Sequence, residues 1–323
     1  MSEKNYFFAV ARIRVKEKYL LTDSDISQMA GLADEKAVVG YLLDKGWGDA
    51  ASGEDPAGIL SAEERKVNDL MRELKVDPKI FEILSYPRSF HNLKAGIKEL
   101  CTSEENPSAY YKGVYPEREL VLRVLGEKAY KELPAAMQEA AEKAYAVMLK
   151  TRDGQMTDVI VDRACLDAME AAALSYRGSL LGDYEEKMVA ITDIQIAVRA
   201  LKTKKDRKFL NAALAPCRSI DTAALARVAA EGEEAFCQYL GDHGFSEAAE
   251  CLRTSSASFD RWCDNSLIRT LLPQKRNPGT IGPVVAYYLA RQNEIKTVRV
   301  LLTAKANHFP EEAIRERVRE MYG

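Results

Sequence analysis

The 323-residue sequence is poor in the features that mark several large protein classes. Gly and Pro number only 18 and 11, below the average usage of about 7% and about 5%, which excludes a collagen-like or low-complexity chain. No apolar run approaches the roughly 20 residues of a membrane-spanning helix, and the first ten residues lack the basic and apolar regions of a signal peptide. We therefore expect a cytoplasmic protein with no direct membrane insertion. Any role at a membrane would come through a partner already embedded there.

The sequence also lacks a large net charge and metal-binding motifs. Lys and Arg number 46 against 49 Asp and Glu, a net charge of −3, so no global positive field points to nucleic acid. The six cysteines form no C-x-x-C pair, which is typical of a reducing compartment and argues against a zinc site. None of the three histidines stands in an H-E-x-x-H or E-x-x-H motif, so no metal site is expected.

Catalytic motifs are missing as well. There is no glycine-rich phosphate loop ending in Lys and Ser or Thr, so the chain should not hydrolyse nucleotides by itself. No G-x-S-x-G turn or plausible Cys and His couple supplies a nucleophile. We therefore predict no catalytic residue and no cofactor, and interpret the protein as something other than an enzyme.

The residue pattern favours helices throughout. The one short β-branched run, Val159–Val161, lies within a longer stretch of helical spacing, and the other segments are rich in Ala, Leu, Glu, Lys and Arg. We therefore predict an all-α protein. Residues suited to begin a helix precede apolar-periodic stretches at Thr22, Ser61, Asp77–Pro78, Tyr115–Pro116, Thr157 and Asp221.

One motif recurs at nearly equal intervals along the chain. It consists of Asp or Asn, any four residues, Ile or Val, Lys or Arg, any residue, and Leu. Its copies begin at Asn92, Asp193 and Asn293, which lie 101 and 100 residues apart. A single copy of so loose a motif would carry no weight, but equal intervals predict an internal repeat of about 100 residues. A second resemblance, between the segments that follow Thr22 and Asp221, supports the same division.

These intervals predict three similar helical units, at residues 1–108, 109–210 and 211–323. Each unit holds a capped helix, a middle helix and a helix that carries the motif, which is enough to bury a shared apolar stripe as a small bundle. The units are longer than tetratricopeptide, ankyrin or HEAT repeats, so a simple solenoid is less favoured. Three such bundles in succession can close around a pseudo-threefold axis and leave a central opening.

The basic residue of the motif is the candidate for contact with a partner. It is Lys98, Arg199 or Arg299 in the successive repeats, and Arg291 lies on the same helix as Arg299. One interpretation is that these side chains extend past a core to solvent. The other is that the helices lie between their own bundle and a partner, where Arg is favoured. We predict Lys98, Arg199, Arg291 and Arg299 as contacts with an elongated acidic or amphipathic partner.

Three segments of the sequence resemble a known family. Tyr6–Arg14 with the capped helix after Leu21, the C-terminal segment Ala286–Lys305, and Phe259–Asn265 are similar to the C subunit of the V-type ATP synthase, also called the archaeal or bacterial A-type. The counterpart in the eukaryotic vacuolar ATPase is called the d subunit. The resemblance covers essentially the whole chain, and the threefold repeat is the organisation of that family.

The resemblance implies a funnel-shaped, non-catalytic subunit of three helical bundles. It would sit on the cytoplasmic face of the membrane proteolipid ring, receive the tip of the central shaft made by the D and F subunits, and couple rotation of the ring to the ATP-handling head. The protein would then be peripheral to the membrane through the ATPase complex. Two alternatives remain at this point: a helical-repeat adaptor that binds a coiled coil outside any rotary motor, and a helical enzyme with a metal bound by carboxylates.

Overall fold

The computed structural model describes residues 6–102 and 104–323. Every regular element within these residues is a helix, which confirms the predicted all-α class. Three short 3-10 turns, Pro107–Ala109, Tyr130–Glu132 and Leu272–Arg276, connect longer helices. The α-helices are α1 (Phe7–Glu17), α2 (Asp23–Gly31), α3 (Glu35–Asp44), α4 (Pro56–Glu73), α5 (Pro78–Thr102), α6 (Arg118–Glu127), α7 (Ala135–Thr151), α8 (Gly154–Ser175), α9 (Leu180–Lys202), α10 (Arg207–Ala213), α11 (Thr222–Glu231), α12 (Glu233–Asp242), α13 (Ser246–Thr254), α14 (Ser256–Leu271), α15 (Gly282–Ala306) and α16 (Glu311–Arg317).

The helices form two compact units. The first unit holds the described residues up to Val76, together with Gly178–Tyr184 and Leu240–Gly323. The second holds Asp77–Arg177 and Glu185–Tyr239. These units group helices by packing, whereas the three repeats concern the sequence, so the boundaries at 108 and 210 remain a prediction.

Helix starts follow the capping residues at three of the predicted places. Thr22 caps α2: its hydroxyl accepts a hydrogen bond from the Asp25 amide, and the Asp25 carboxylate accepts one from the Thr22 amide. Asp221 accepts from two amides of the first turn of α11, and α5 begins at Pro78 after Asp77. These contacts satisfy amides that a helix N-terminus leaves unpaired.

Two predicted starts are wrong because a stronger signal lies upstream. α4 begins at Pro56 after the cap Asp55, and Ser61 lies one turn inside it. α8 begins after Asp153, whose carboxylate accepts from the Met156 amide, and Thr157 bonds back to the Asp153 carbonyl. In both helices an Asp side chain accepts a hydrogen bond from an amide of the first turn, and in α4 Pro occupies the first helical position. Each helix therefore begins upstream of the predicted Ser or Thr.

α15 provides the core of the first unit. Its apolar face packs against α2, α3 and α4, and the same cluster takes in Ile314 of α16. Ile295, Val298 and Leu302, which the sequence places on one helix face, are all buried. The helix predicted to end the third repeat therefore packs on helices of the first.

α5 has the corresponding position in the second unit. Phe90, Leu93 and Ile97 of α5 pack with the buried faces of α6, α7 and α8. The helix predicted to end the first repeat therefore packs on helices of the second. α15 and α5 thus lie among helices that are distant from them or follow them in the sequence, which places the motif residues of these two helices at packing junctions.

Candidate partner-contact site

The four predicted contact residues lie on three helices. Lys98 of α5 and Arg199 of α9 are residues of the second unit, while Arg291 and Arg299 belong to α15 of the first. Three of the four side chains are on the surface, and Arg291 is buried. The four residues therefore do not share one environment, although the sequence pattern groups them.

Lys98 lies at the junction of α5 and α8. Its ammonium nitrogen is 2.8 Å from a carboxylate oxygen of Asp158, and its side chain remains 47% exposed. Exposed ion pairs contribute about 0–1 kcal/mol, so this pair can open at little cost. The lysine is thus accessible to an acidic partner, although its charge is partly balanced within the unit.

Arg299 and Arg199 are also accessible. The guanidinium of Arg299 is 3.0 Å from a carboxylate oxygen of Glu64 on α4, with 58% of the side chain exposed. Arg199 is exposed in the last turn of α9 and forms no ion pair with any residue the structure describes. A cation in the last helical turn complements the helix dipole, but it leaves the guanidinium donors of Arg199 open to a partner.

Arg291 has a different environment from the other three. Only 6% of the residue is exposed, its guanidinium forms ion pairs with Glu63 of α4 and with Glu294 one turn along α15, and it lies over the Trp47 ring. A side chain buried in this way is not accessible to another protein. The prediction of partner contact at Arg291 is therefore not carried further.

The carboxylates that hold Arg291 have further partners of their own. Glu63 accepts from the Gly48 amide at 2.9 Å and from the Lys66 ammonium at 2.6 Å, and Glu294 accepts from the Leu21 amide at 2.6 Å. Burial raises the pKa of Glu294 to about 7, while the Arg291 charge and the Leu21 amide act in the opposite direction. We call Arg291, Glu63 and Glu294 the buried ion cluster. Through these bonds it ties α15 to α4 and to the chain before α2 and after α3.

The first residue of the repeated motif is a buried polar side chain that binds backbone. The side-chain nitrogen of Asn92 lies 3.2, 3.3 and 3.1 Å from the carbonyl oxygens of Tyr111, Val114 and Pro116, which share its two N–H donors. The side-chain oxygen accepts from the Tyr111 amide at 2.8 Å. This one side chain therefore contacts four backbone groups in the segment that leads into α6, where unpaired polar groups would be costly.

The other two copies make related contacts. Asp193 accepts from the Ala215 amide at 3.0 Å, and Asn293 donates to the Glu320 carbonyl at 3.0 Å. In all three repeats the residue fixes backbone that lies 19–27 positions further along the chain. The sequence predicted the equivalence of these positions but not this role, because the contacted segments share no motif.

The described residues contain neither a candidate metal site nor a candidate membrane-spanning helix. In residues 6–102 and 104–323, no three His, Cys, Asp or Glu side chains lie together in a way that could hold a metal ion. Over the same residues, no helix is both long and apolar enough to cross a bilayer. A surface cavity of about 310 Å³ in the first unit is lined by Trp262 and Arg269 among others, and Arg269 is already paired with Glu247 and Glu320.

The described residues thus form an all-helical protein in which each motif helix carries a buried polar residue and an exposed cation. The chain belongs to the ATP synthase (C/AC39) subunit family, whose model matches residues 9–317. It is also similar to the C subunit of the V-type sodium ATPase of Enterococcus hirae, with 24% identity over 272 residues that cover 81% of each chain. The resemblance to the C subunit of the V-type ATP synthase is thereby confirmed.

Proposed function

We propose that the protein is a non-catalytic central-stalk subunit of a V-type ATPase, which joins the shaft of the D and F subunits to the membrane proteolipid ring. The observation that carries the proposal is the family match along residues 9–317, supported by a relative named as the C subunit of a V-type sodium ATPase. The protein would transmit rotation by shape and stiffness, without chemistry of its own.

The repeated motif supports a socket of three similar bundles. Asn92, Asp193 and Asn293 each fix later backbone from the same place in their repeat. Related contacts in three copies support a pseudo-threefold, funnel-shaped arrangement of residues 1–108, 109–210 and 211–323. A shaft tip could then be received in the central opening.

The helical packing suits the transmission of torque. Close-packed interiors deform little under load, and the buried ion cluster adds directional contacts among α4, α15 and the chain before α2. A subunit that is rigidly packed, and that needs no hinge or lid for its role, could rotate as a rigid body.

Three surface cations are the proposed contacts with the shaft. Lys98, Arg199 and Arg299 occupy one position of the motif and are all exposed. Charged groups at the rim of an interface chiefly affect association rate and partner choice. Contact with an acidic stretch of the shaft would replace the weak internal pairs of Lys98 and Arg299 and engage the open donors of Arg199.

Capture of the native complex tests the overall role. Antibody capture of the untagged chain from detergent-solubilised membranes should recover the A and B subunits of the head, the D and F subunits of the shaft, and the ring protein. Recovery of an unrelated coiled-coil protein without any of these would instead support the adaptor alternative and contradict the proposal.

Charge reversal tests the contact residues separately. Arg199→Glu combined with Arg299→Glu should weaken binding to a purified shaft of the D and F subunits, with a loss that shrinks as salt rises because screening weakens such contacts. The matched control reverses Lys36 and Lys150, which are exposed but outside the motif. If the two double variants bind the shaft with equal affinity, Arg199 and Arg299 do not contact the shaft.

A further inference from the structure

The first helix carries an apolar stripe that faces away from the protein. Phe8, Val15 and Tyr19 are 74%, 56% and 72% exposed. Their spacing of seven and four residues places them on one side of α1 and of the turn that follows it. The opposite side of α1, with Ala9, Val10 and Ile13, is buried, and the helix packs against α15. The helix is thus apolar on two sides and covered on only one.

Two exposed lysines border this stripe. They are Lys16 and Lys18, and neither forms an ion pair within the described part of the chain. The one carboxylate of the helix, Glu17, is turned away: it accepts from Arg14 at 2.7 Å and from the Tyr322 hydroxyl at 3.4 Å, and its side chain is only 16% exposed. The exposed side of α1 therefore combines aromatic and aliphatic groups with positive charge and presents no carboxylate of its own.

We propose that this side of α1, defined by Phe8, Val15, Tyr19, Lys16 and Lys18, docks on the surface of an anionic phospholipid bilayer. Aromatic rings at the ends of the stripe suit the headgroup boundary, and lysines at its border suit anionic lipid phosphates. An acidic protein surface would satisfy the lysines equally well, but the bilayer also accommodates a stripe of exposed aromatic side chains without a shaped groove. The inference rests on this helix alone and not on the proposed role as a socket.

Vesicle flotation of the full chain tests the docking. The protein should float with vesicles of phosphatidylcholine and phosphatidylglycerol, and much less with phosphatidylcholine alone. Phe8→Ser with Tyr19→Ser should reduce binding by removing the groups that enter the interface. Lys16→Gln with Lys18→Gln should reduce it by about 25-fold, because each lysine contributes about five-fold near an anionic surface.

The matched control changes exposed apolar residues elsewhere. Leu149→Ser with Leu174→Ser removes two half-exposed side chains of α7 and α8 and should leave vesicle binding unchanged. Since all substituted side chains are exposed, the thermal unfolding of each variant should stay close to that of the parent. Phe8→Trp supplies a local signal, and its fluorescence should shift to shorter wavelength only when anionic vesicles are present.

Several results would overturn the docking. One is failure of the parent to bind anionic vesicles, another is equal loss of binding in the Leu149 and Leu174 control, and a third is an indole fluorescence of the Phe8→Trp variant that vesicles do not alter. If Phe8→Ser with Tyr19→Ser leaves vesicle binding intact but reduces recovery with the membrane sector of the ATPase, the stripe contacts a protein and the lipid proposal fails.

Discussion

The guanidinium of Arg291 lies over the indole of Trp47, with its carbon 4.9 Å from the ring centre. The ring covers one face of a charge whose edge is held by Glu63 and Glu294. A cation over an indole face gains electrostatic attraction, and more so when water is excluded. Arg291 of α15 therefore stabilises the first unit from within.

Removal of the Arg291 charge should therefore be severely destabilising. Arg291→Met leaves Glu294 buried without its cation and leaves Glu63 with Lys66 alone. Breaking a buried pair in this way costs about 3–5 kcal/mol. Arg291→Lys should recover part of the loss, because one ammonium cannot reproduce the planar set of donors. The free energy of unfolding from urea titration measures both effects.

Arg299 offers the matched control on the same helix. Arg299→Met breaks an ion pair with Glu64 that is largely exposed, so its cost should stay within about 0.5 kcal/mol. If Arg291→Met and Arg299→Met lower the free energy of unfolding equally, burial of the ion cluster does not contribute to stability.

Asp193 is the exception among the three motif residues, and replacing it should stabilise the protein. One carboxylate oxygen is buried with no hydrogen-bond partner among the described residues, and burial raises the pKa of Asp193 to about 7 from its ordinary 3.8. Asp193→Asn introduces the residue found at the other two copies, Asn92 and Asn293, and cannot ionise. The variant should be more stable than the parent at about pH 8, with the advantage shrinking toward about pH 4. Urea titration across this range measures the difference, and an advantage that does not vary with pH would contradict the prediction.

Glu185 should make the parent protein less stable as the pH rises. The residue is 1% exposed, one of its carboxylate oxygens has no partner in the part of the chain that the structure describes, and burial raises its pKa to about 8 from 4.5. The folded state therefore keeps a proton that the unfolded state has lost. The stability contributed by protonated Glu185 is fully present below its ordinary pKa and is lost as the pH rises to about 8. Glu185→Gln should flatten this part of the pH profile, as measured by thermal unfolding.

The neighbouring Glu186 gives the opposite expectation. Burial opposes its ionisation, but hydrogen bonds from Ser219 and Arg218 hold the pKa of Glu186 below its usual value. Glu186→Gln should therefore lower stability at neutral pH. If Glu185→Gln and Glu186→Gln change the pH profile alike, the distinction between a partnered and an unpartnered carboxylate is wrong.

Local signals in the sequence predicted local structure well. The helical class and the caps at Thr22 and Asp221 follow from short-range spacing and side-chain chemistry, and the structure confirms them. The motif interval also located three buried polar residues that each form a hydrogen bond with later backbone. These features depend on residues close together in the chain, or on a pattern repeated within it.

Long-range pairing could not be predicted in the same way. Glu63 meets Arg291 across 228 positions, and nothing near either residue distinguishes a buried pair from a surface cation that extends past a core. For the same reason the sequence does not indicate the exposed stripe of α1, because Phe8 and Ile13 have equally apolar side chains and only the packing of α15 shows which side is covered.

Gly96 lies where α5 packs against Val121 of α6 and should not tolerate a side chain. A Cβ at this position would lie 2.3 Å from a methyl carbon of Val121, and overpacking of a buried junction costs about 1–3 kcal/mol. Gly96→Ala should therefore destabilise the second unit, and Val121→Ala in the same chain should restore part of the loss, giving a coupling energy between the two positions. Gly40→Ala is the matched control, because that glycine lies within α3 with no described atom close to its added Cβ. It should stabilise the protein by about 0.5–1 kcal/mol through helix propensity, so that the same substitution has opposite signs at two helical positions. Equal effects in urea titration would mean that the contact between Gly96 and Val121 does not limit the approach of the two helices.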